Sequence, residues 1–415
     1  TFELVGPLPT GATAQDMEAW ALRASERGLW HDWCLSAAPE VSAAPEFISP
    51  SKIDIAEAAD LSSSHHAVLS EGRREGRSIT ITVDVTWLGP HQTGAQVLTT
   101  AAIEALSRQE SVQQLRLVGL DQLPSYAAYL EALDKVEICS DSEQATQLDV
   151  MWYPNQIDQR VDVSAARKLG RRVVTTYLDL IAYDIPRYHG SAEAWAAYRS
   201  LQRRIALSVD GVTTISADVA QRLREEVPRL DPQRVQPIPL GLDHIVLSEH
   251  DDEGDLAGLQ KQLRGRSFIL VLGNDFQHKN RDFAIRVWEQ VLTYGTNCDL
   301  VLAGLHVRSS SSKDLEGRFL EQHTNLRGAV HSLGHVSEAS RIWLLENATV
   351  VLYPSSAEGF GFVPYEAAAL GTPSTFTAFG PLREISGVQG APGCWSIEEH
   401  SRDINSLLTD PEFAS

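Results

Sequence analysis

From residue 78 onward the chain alternates short β-rich apolar runs with stretches of helical period, and it does so twice. This pattern constrains the fold more than any other feature. Strands joined through helices pair in parallel, and a parallel sheet must be covered on both faces. In the first half the sequence predicts strands at 79–87, 115–120, 150–154, 172–177, 211–215 and 235–240. A helix over 94–108 carries Val97, Leu98, Ala101, Ala102, Ala105 and Leu106 on one face, with further helices expected over 192–208 and 217–227. In the second half, strands at 268–272, 300–303, 330–333, 350–353 and 374–376 alternate with helices over 282–293, 340–347 and 362–370.

A chain of 415 residues also exceeds the roughly 250–300 at which one core stops growing. The expectation is therefore two Rossmann-like α/β domains, at 78–242 and 266–415, joined by a linker at 243–265. That linker holds the acid run Glu249-His250-Asp251-Asp252-Glu253-Gly254-Asp255, which has no apolar period and reads as a solvated loop. Residues 1–77 form an Ala-, Ser- and Pro-rich extension to which no chemistry is assigned. Its start at Thr1 suggests a piece of a longer protein with partner domains. Open parallel sheets bind ligands outside the carboxyl ends of their strands, so the site is expected in a cleft between the domains.

Charge and motif content exclude several functions. The 35 Lys and Arg against 55 Asp and Glu give a net charge of −20, which repels phosphate backbones and argues against nucleic acid. No apolar run approaches the roughly 18 residues of a membrane span, and no signal-peptide pattern opens the chain. Cys34, Cys139, Cys298 and Cys394 are scattered, as in reduced cytosolic proteins. A cytoplasmic location is expected, with a peripheral position at an inner membrane left open. The run from Gly89 to Gly94 has the opening spacing of a phosphate loop, but Ala95-Gln96 stands where Lys-Ser/Thr is needed. No Gly-x-Gly-x-x-Gly opens either domain, no Asp-x-Asp occurs and the histidines lack metal-ligand spacing, so neither a nicotinamide cofactor nor a metal is expected.

The most informative segment is Pro354-Ser355-Ser356-Ala357-Glu358-Gly359-Phe360-Gly361-Phe362-Val363-Pro364-Tyr365-Glu366. It follows a strand. Pro364 is acceptable only in a first helical turn, while Gly371 and Pro373 stop the helix. Glu358 is thus placed on the loop and Glu366 on the helix. Gly359 and Gly361 leave backbone N–H groups and a positive helix end open to an anion such as a nucleoside diphosphate. Two carboxylates beside that anion must meet neutral hydroxyls instead, as sugar and ribose provide.

The spacing from Glu358 to Glu366 resembles the Glu-x7-Glu motif of the large retaining glycosyltransferase family of the GT-B fold, family 4. Pro239-Leu240-Gly241-Leu242-Asp243, Val271-Leu272-Gly273 through Lys279-Asn280, Leu302-Ala303-Gly304 and Leu333-Gly334-His335-Val336 resemble its flanking segments. The resemblance covers about residues 79–410. It implies that Glu366 holds the donor ribose, Glu358 contacts the transferred sugar and Lys279 neutralises the departing diphosphate. Gly359, Phe360 and Gly361 would offer backbone donors, Gly94 would allow close approach, and Asp179 would join the catalytic set. Two positions depart from the family: its phosphate-binding Arg falls at Asn274 and its His at Leu178, with His91, His278 or Arg281 as candidate replacements. The implied function is retaining, metal-independent transfer of a hexose from a nucleoside diphosphate sugar to a glycan or lipid-linked acceptor. Mannosyltransferase-like features at 179–181 and Thr93-Gly94 favour GDP-mannose. The alternative is a non-catalytic GT-B domain that binds nucleotide sugar or acts as a scaffold.

Overall fold

The computed structural model describes residues 78–90, 92–139, 146–158, 161–242, 257–308, 310–386 and 395–409. The extension at 1–77, His91 and most of the expected linker lie outside them. Two wholly parallel sheets form. The first contains β1 (Ile79–Asp84), β2 (Val112–Val118), β3 (Val136–Cys139), β4 (Leu148–Tyr153), β5 (Gly170–Tyr177), β6 (Gly211–Thr214) and β7 (Val235–Pro237). Its order is β3-β2-β1-β4-β5-β6-β7. The second contains β8 (Phe268–Leu272), β9 (Asp299–Ala303), β10 (Val330–Leu333), β11 (Val350–Tyr353) and β12 (Ser374–Phe376), in the order β10-β9-β8-β11-β12.

Helices connect the strands. In the first half these are α1 (Gly94–Ser107), α2 (Val163–Leu169), α3 (Ile181–Asp184), α4 (Ala192–Ser208) and α5 (Ala217–Glu226). The second half supplies α6 (Ala257–Leu263), α7 (Arg281–Thr293), α8 (Lys313–Gln322), α9 (Glu338–Asn347), α10 (Phe362–Ala369), α11 (Leu382–Ser386) and α12 (Ile397–Thr409). By contacts, Ile181–Ala196 groups with the unit of the second sheet, and the turn Pro186–Tyr188 meets Phe276, Gln277 and His278 after β8 and Ser310 after β9.

Burial explains the element types. All five residues of β8 and of β9 and all four of β11 are buried, as expected of strands with both faces covered. On α7, Phe283, Ala284, Val287, Trp288 and Val291 recur at helical spacing and pack on Ile269, Val271, Leu300 and Leu302. Trp288 satisfies its buried indole N–H on the Cys298 carbonyl at 3.0 Å. In the first sheet, Ile81, Val83, Leu115 and Leu117 pack with Ile103 of α1.

The strands expected at 268–272, 330–333, 350–353 and 374–376 and the helix at 192–208 form with those bounds. β1 stops at Asp84, earlier than expected, because the Asp84 carboxylate accepts the Thr86 N–H at 2.8 Å and turns the chain. Strand β3 and helices α2, α3, α6, α8, α11 and α12 were not foreseen; α6 lies inside the expected linker, where Leu263 is buried in the core. In each sheet the order reverses between the first and fourth strands, β1 with β4 and β8 with β11. Loops leaving such a pair diverge to opposite faces and open a crevice.

Candidate functional site

In the second unit the crevice is made by the loop after β8, residues 273–280, and the loop after β11, residues 354–361. They are stitched together by backbone and amide contacts. Asn280 Nδ2 donates to the Pro354 carbonyl at 2.9 Å, and Ser356 N donates to the His278 carbonyl at 2.7 Å. Trp395 Nε1 also donates to the Pro354 carbonyl, at 3.2 Å. Asn280 takes the left-handed conformation, φ 49°, which ends the short turn Gln277–Lys279 and starts α7.

These contacts bring Lys279 and Glu358 together. Lys279 Nζ lies 2.5 Å from Glu358 Oε1 and 3.2 Å from the Tyr353 hydroxyl, which itself donates to Glu358 Oε1 at 2.5 Å. Glu358 is only 8% exposed. Burial pushes its carboxyl up, but the Lys279 charge and its hydrogen bond outweigh that and hold it below the usual range. Burial, reinforced by Glu358, raises the Tyr353 phenol, which therefore stays protonated. An ammonium has three N–H donors, and Glu358 and Tyr353 use two of Lys279's. One remains for a ligand.

Behind this cluster His278 is buried, its ring Nδ1 2.5 Å from the Tyr188 hydroxyl. Desolvation, aided by the Lys279 charge, pushes its imidazole down to about 3, so it is neutral at ordinary pH. It supplies no charge in place of the family Arg. Arg281 is buried as well, and its guanidinium donates to the Gly273 carbonyl. Asn274, at the position of that Arg, accepts the Leu305 N–H at 3.2 Å. The ends of β8 and β9 lie so close that a Cβ on Gly304 would sit 2.0 Å from the Gly273 carbonyl oxygen.

Glu366 projects from α10 and meets Arg341 of α9. Arg341 Nη1 lies 2.7 Å from Glu366 Oε2, and Nη2 lies 2.5 Å from Glu338 Oε1. Burial opposes the Arg341 charge, but the two carboxylates outweigh it and hold the guanidinium above its ordinary value. Gly359, Phe360 and Gly361 are all buried at the start of α10. Phe360 stacks on Tyr365 at 4.9 Å between ring centres, which fixes the loop. Gly361 is the N-cap with φ 89°, and neither a side-chain cap nor a first-turn acid satisfies that helix end.

The remaining expected residues lie in the first unit. Gly94 is the exposed first residue of α1, where Gln96 closes a capping box on the Thr93 N–H at 3.1 Å. Asp179 follows β5, and its carbonyl accepts Gln156 Nε2 at 2.6 Å. His91 is outside the described residues. Sequence reasoning missed Arg341, Tyr353 and Tyr188. The first resembles a surface i,i+3 partner of Glu338, the second a strand end, and the third is ninety residues from His278 in the chain.

Residues 260–415 match the family model "Glycosyl transferases group 1". This match lies wholly within the unit of the second sheet. Among curated proteins the chain is 27% identical over 225 residues to O-antigen chain mannosyltransferase B of Escherichia coli, spanning 53% of this chain and 56%, about half, of that relative. Among solved structures it is similar to HepE of Anabaena in complex with UDP-glucose, with 19% identity, a TM-score of 0.56 and coverage of 81% of this chain and 91% of that one. Sucrose-phosphate synthase from Thermosynechococcus elongatus is similar at 16% identity and a TM-score of 0.57, with coverage of 81% and 91%. The two Rossmann-like sheets are thus those of the GT-B fold. Among the described residues no helix is long and apolar enough to cross a membrane.

Proposed function

We propose that the protein transfers a hexose from a nucleoside diphosphate sugar to a glycan or lipid-linked acceptor with retention, and that the donor is held in the crevice between the loops after β8 and β11. The observation that carries this reading is the meeting of Lys279, Tyr353 and Glu358 beside the uncapped start of α10. Glycosyl transfer breaks the bond from C1 to the diphosphate oxygen, and negative charge grows on the leaving group. The third N–H of Lys279 and the amides at 359–361 meet that charge, so no metal or cofactor is required. Oε1 of Glu358 accepts from Lys279 and Tyr353, leaving Oε2 for a sugar hydroxyl. The acceptor oxygen bonds C1 on the face the diphosphate leaves, and its proton passes to the departing phosphate. Glu366, oriented by Arg341, accepts the ribose hydroxyls. The Escherichia coli relative favours a GDP-mannose donor in polysaccharide assembly; HepE makes UDP-glucose the first competitor to try. The expected location is cytoplasmic or peripheral at an inner membrane.

Lys279 meets charge that develops during reaction, whereas Glu366 meets a ribose that does not change. Lys279→Ala should lower kcat by on the order of 10²-fold or more, and Glu366→Gln should mainly raise donor KM. Steady-state donor turnover reads both. Equal losses of kcat with unchanged KM in both variants would refute the assignment. Leu178 and Asn274 at the family's His and Arg positions favour the second reading, a non-catalytic domain that binds nucleotide sugar. Slow donor hydrolysis that disappears in Glu358→Gln excludes that reading.

A further inference from the structure

A second polar cavity of about 370 Å³ opens in the same unit, lined by Arg187, Gln277, His306, Arg308, Ser311 and Lys313 among others. It shares no lining residue with the Lys279, Tyr353 and Glu358 cluster. Its cations differ from three others of this unit, which carboxylates hold. Lys279 is held by Glu358, Arg341 by Glu366 and Glu338, and Arg266 by Asp299. Arg187, Arg308 and Lys313, by contrast, pair with no carboxylate among the described residues; Arg187 donates only to Gln277 Oε1, at 3.0 Å. This occurs in a chain with twenty more acids than bases. The one acid of the lining, Asp314, is exposed and makes no ion pair there.

The wall behind the cations is built. Buried Asp275 accepts His306 Nδ1 at 2.7 Å, the Val307 N–H at 2.7 Å and the Ser311 hydroxyl at 2.8 Å. Burial raises this carboxyl, but those partners outweigh it and keep it ionised. The Ser310 hydroxyl donates to the Arg187 carbonyl at 3.1 Å, fixing the turn Pro186–Tyr188 against the loop that carries Arg308. Ser310 itself has φ 56°. Asp275 is therefore spent on the loop and cannot neutralise the cations in front of it. Lys313 is the first residue of α8, where a cation opposes the helix dipole. Two guanidinium forks and an ammonium around one polar hollow repel each other when it is empty and suit a tetrahedral dianion.

We propose that this cavity is a second anion site, which seats a monoester phosphate carried by a soluble phosphorylated molecule or by a lipid headgroup. The assignment does not rest on the donor reading, although the cavity borders the loop after β8 through Gln277. Its test is hydrogen exchange of the full chain with inorganic phosphate, read on peptides within 305–316 and, separately, within 273–280 and 354–366. Phosphate should protect 305–316, and R308Q/K313Q should weaken that protection roughly tenfold or more. Both side chains are exposed, so the thermal melt of the variant should match the parent. Co-sedimentation with phosphatidylcholine vesicles containing phosphatidate, lost in R308Q/K313Q, would identify a lipid headgroup. Phosphate protection without vesicle binding would identify a soluble ligand. Absence of protection at 305–316, or protection undiminished in R308Q/K313Q, would overturn the proposal whatever happens at the donor loops.

Discussion

The two units share the strand order third, second, first, fourth, fifth, yet they finish their first strand-to-helix turns differently. After β1 the chain satisfies itself. Asp84 takes the Thr86 N–H, Tyr126 donates to the Gly89 carbonyl at 2.9 Å, and Gln96 closes the capping box of α1. After β8 and β11 the chain instead gathers ionised groups: Lys279 against Glu358, Arg341 against Glu366, and a helix start with no cap. Topology supplies a crevice in both units. Among the described residues, it is the second whose side chains leave an ammonium donor at its mouth, which is why the nucleotide is assigned there.

The largest expected effect of a substitution on stability comes from breaking one of these pairs. Arg341→Gln removes the charged partner of Glu366, whose side chain is 7% exposed, and should cost about 1.5–3 kcal/mol in denaturant unfolding. A loss below about 1 kcal/mol would mean that Glu366 is solvated and that the contrast between the units is smaller than drawn.

Acid should separate the units next. His278 and His400 have pKa values lowered to about 3 and about 4, chiefly by burial, whereas the unfolded value is about 6.5. A depressed folded pKa contributes stability above the unfolded value that is lost as pH falls toward the folded one. The second unit should therefore weaken from about pH 6.5 downward, by on the order of 2 kcal/mol per histidine at pH 5. The described residues of the first unit contain no histidine. Hydrogen exchange at pH 7 and pH 5, corrected for the intrinsic rate, should show the second unit opening first. Equal opening in both would sink this point.

A smaller effect distinguishes two glycines. Gly361→Ala forces a side chain into φ 89° and should cost about 1–2 kcal/mol. Gly94→Ala, at an exposed helical position without positive φ, should be neutral or stabilise by up to about 1 kcal/mol. Thermal melts of the two variants decide it; similar shifts would show that Gly361 is not held by its cap geometry.

The same physics decides what the sequence shows. Strands β8 and β11 were legible because every residue is apolar and buried, and the loop and helix after β11 because Gly361 and Pro364 punctuate them. α8 and α12 were hidden because their buried positions are polar: Glu316 on the first, and His400 and Ser401 beside Ile404 on the second. β3 is a half-buried edge strand with no clean alternation. Glu358, Glu366 and Lys279 could be named from spacing, but their partners could not. Tyr188 and Arg341 reach the cluster through tertiary contacts that leave no periodic trace.

The central claim is that nucleoside diphosphate sugar binds at the loops after β8 and β11. Hydrogen exchange of the full chain with GDP-mannose and with UDP-glucose, each at saturating concentration, tests it most directly. One of the two should slow exchange across 273–280 and 354–366, and Lys279→Ala should weaken that protection. Protection by a donor that bypasses both segments would contradict the account.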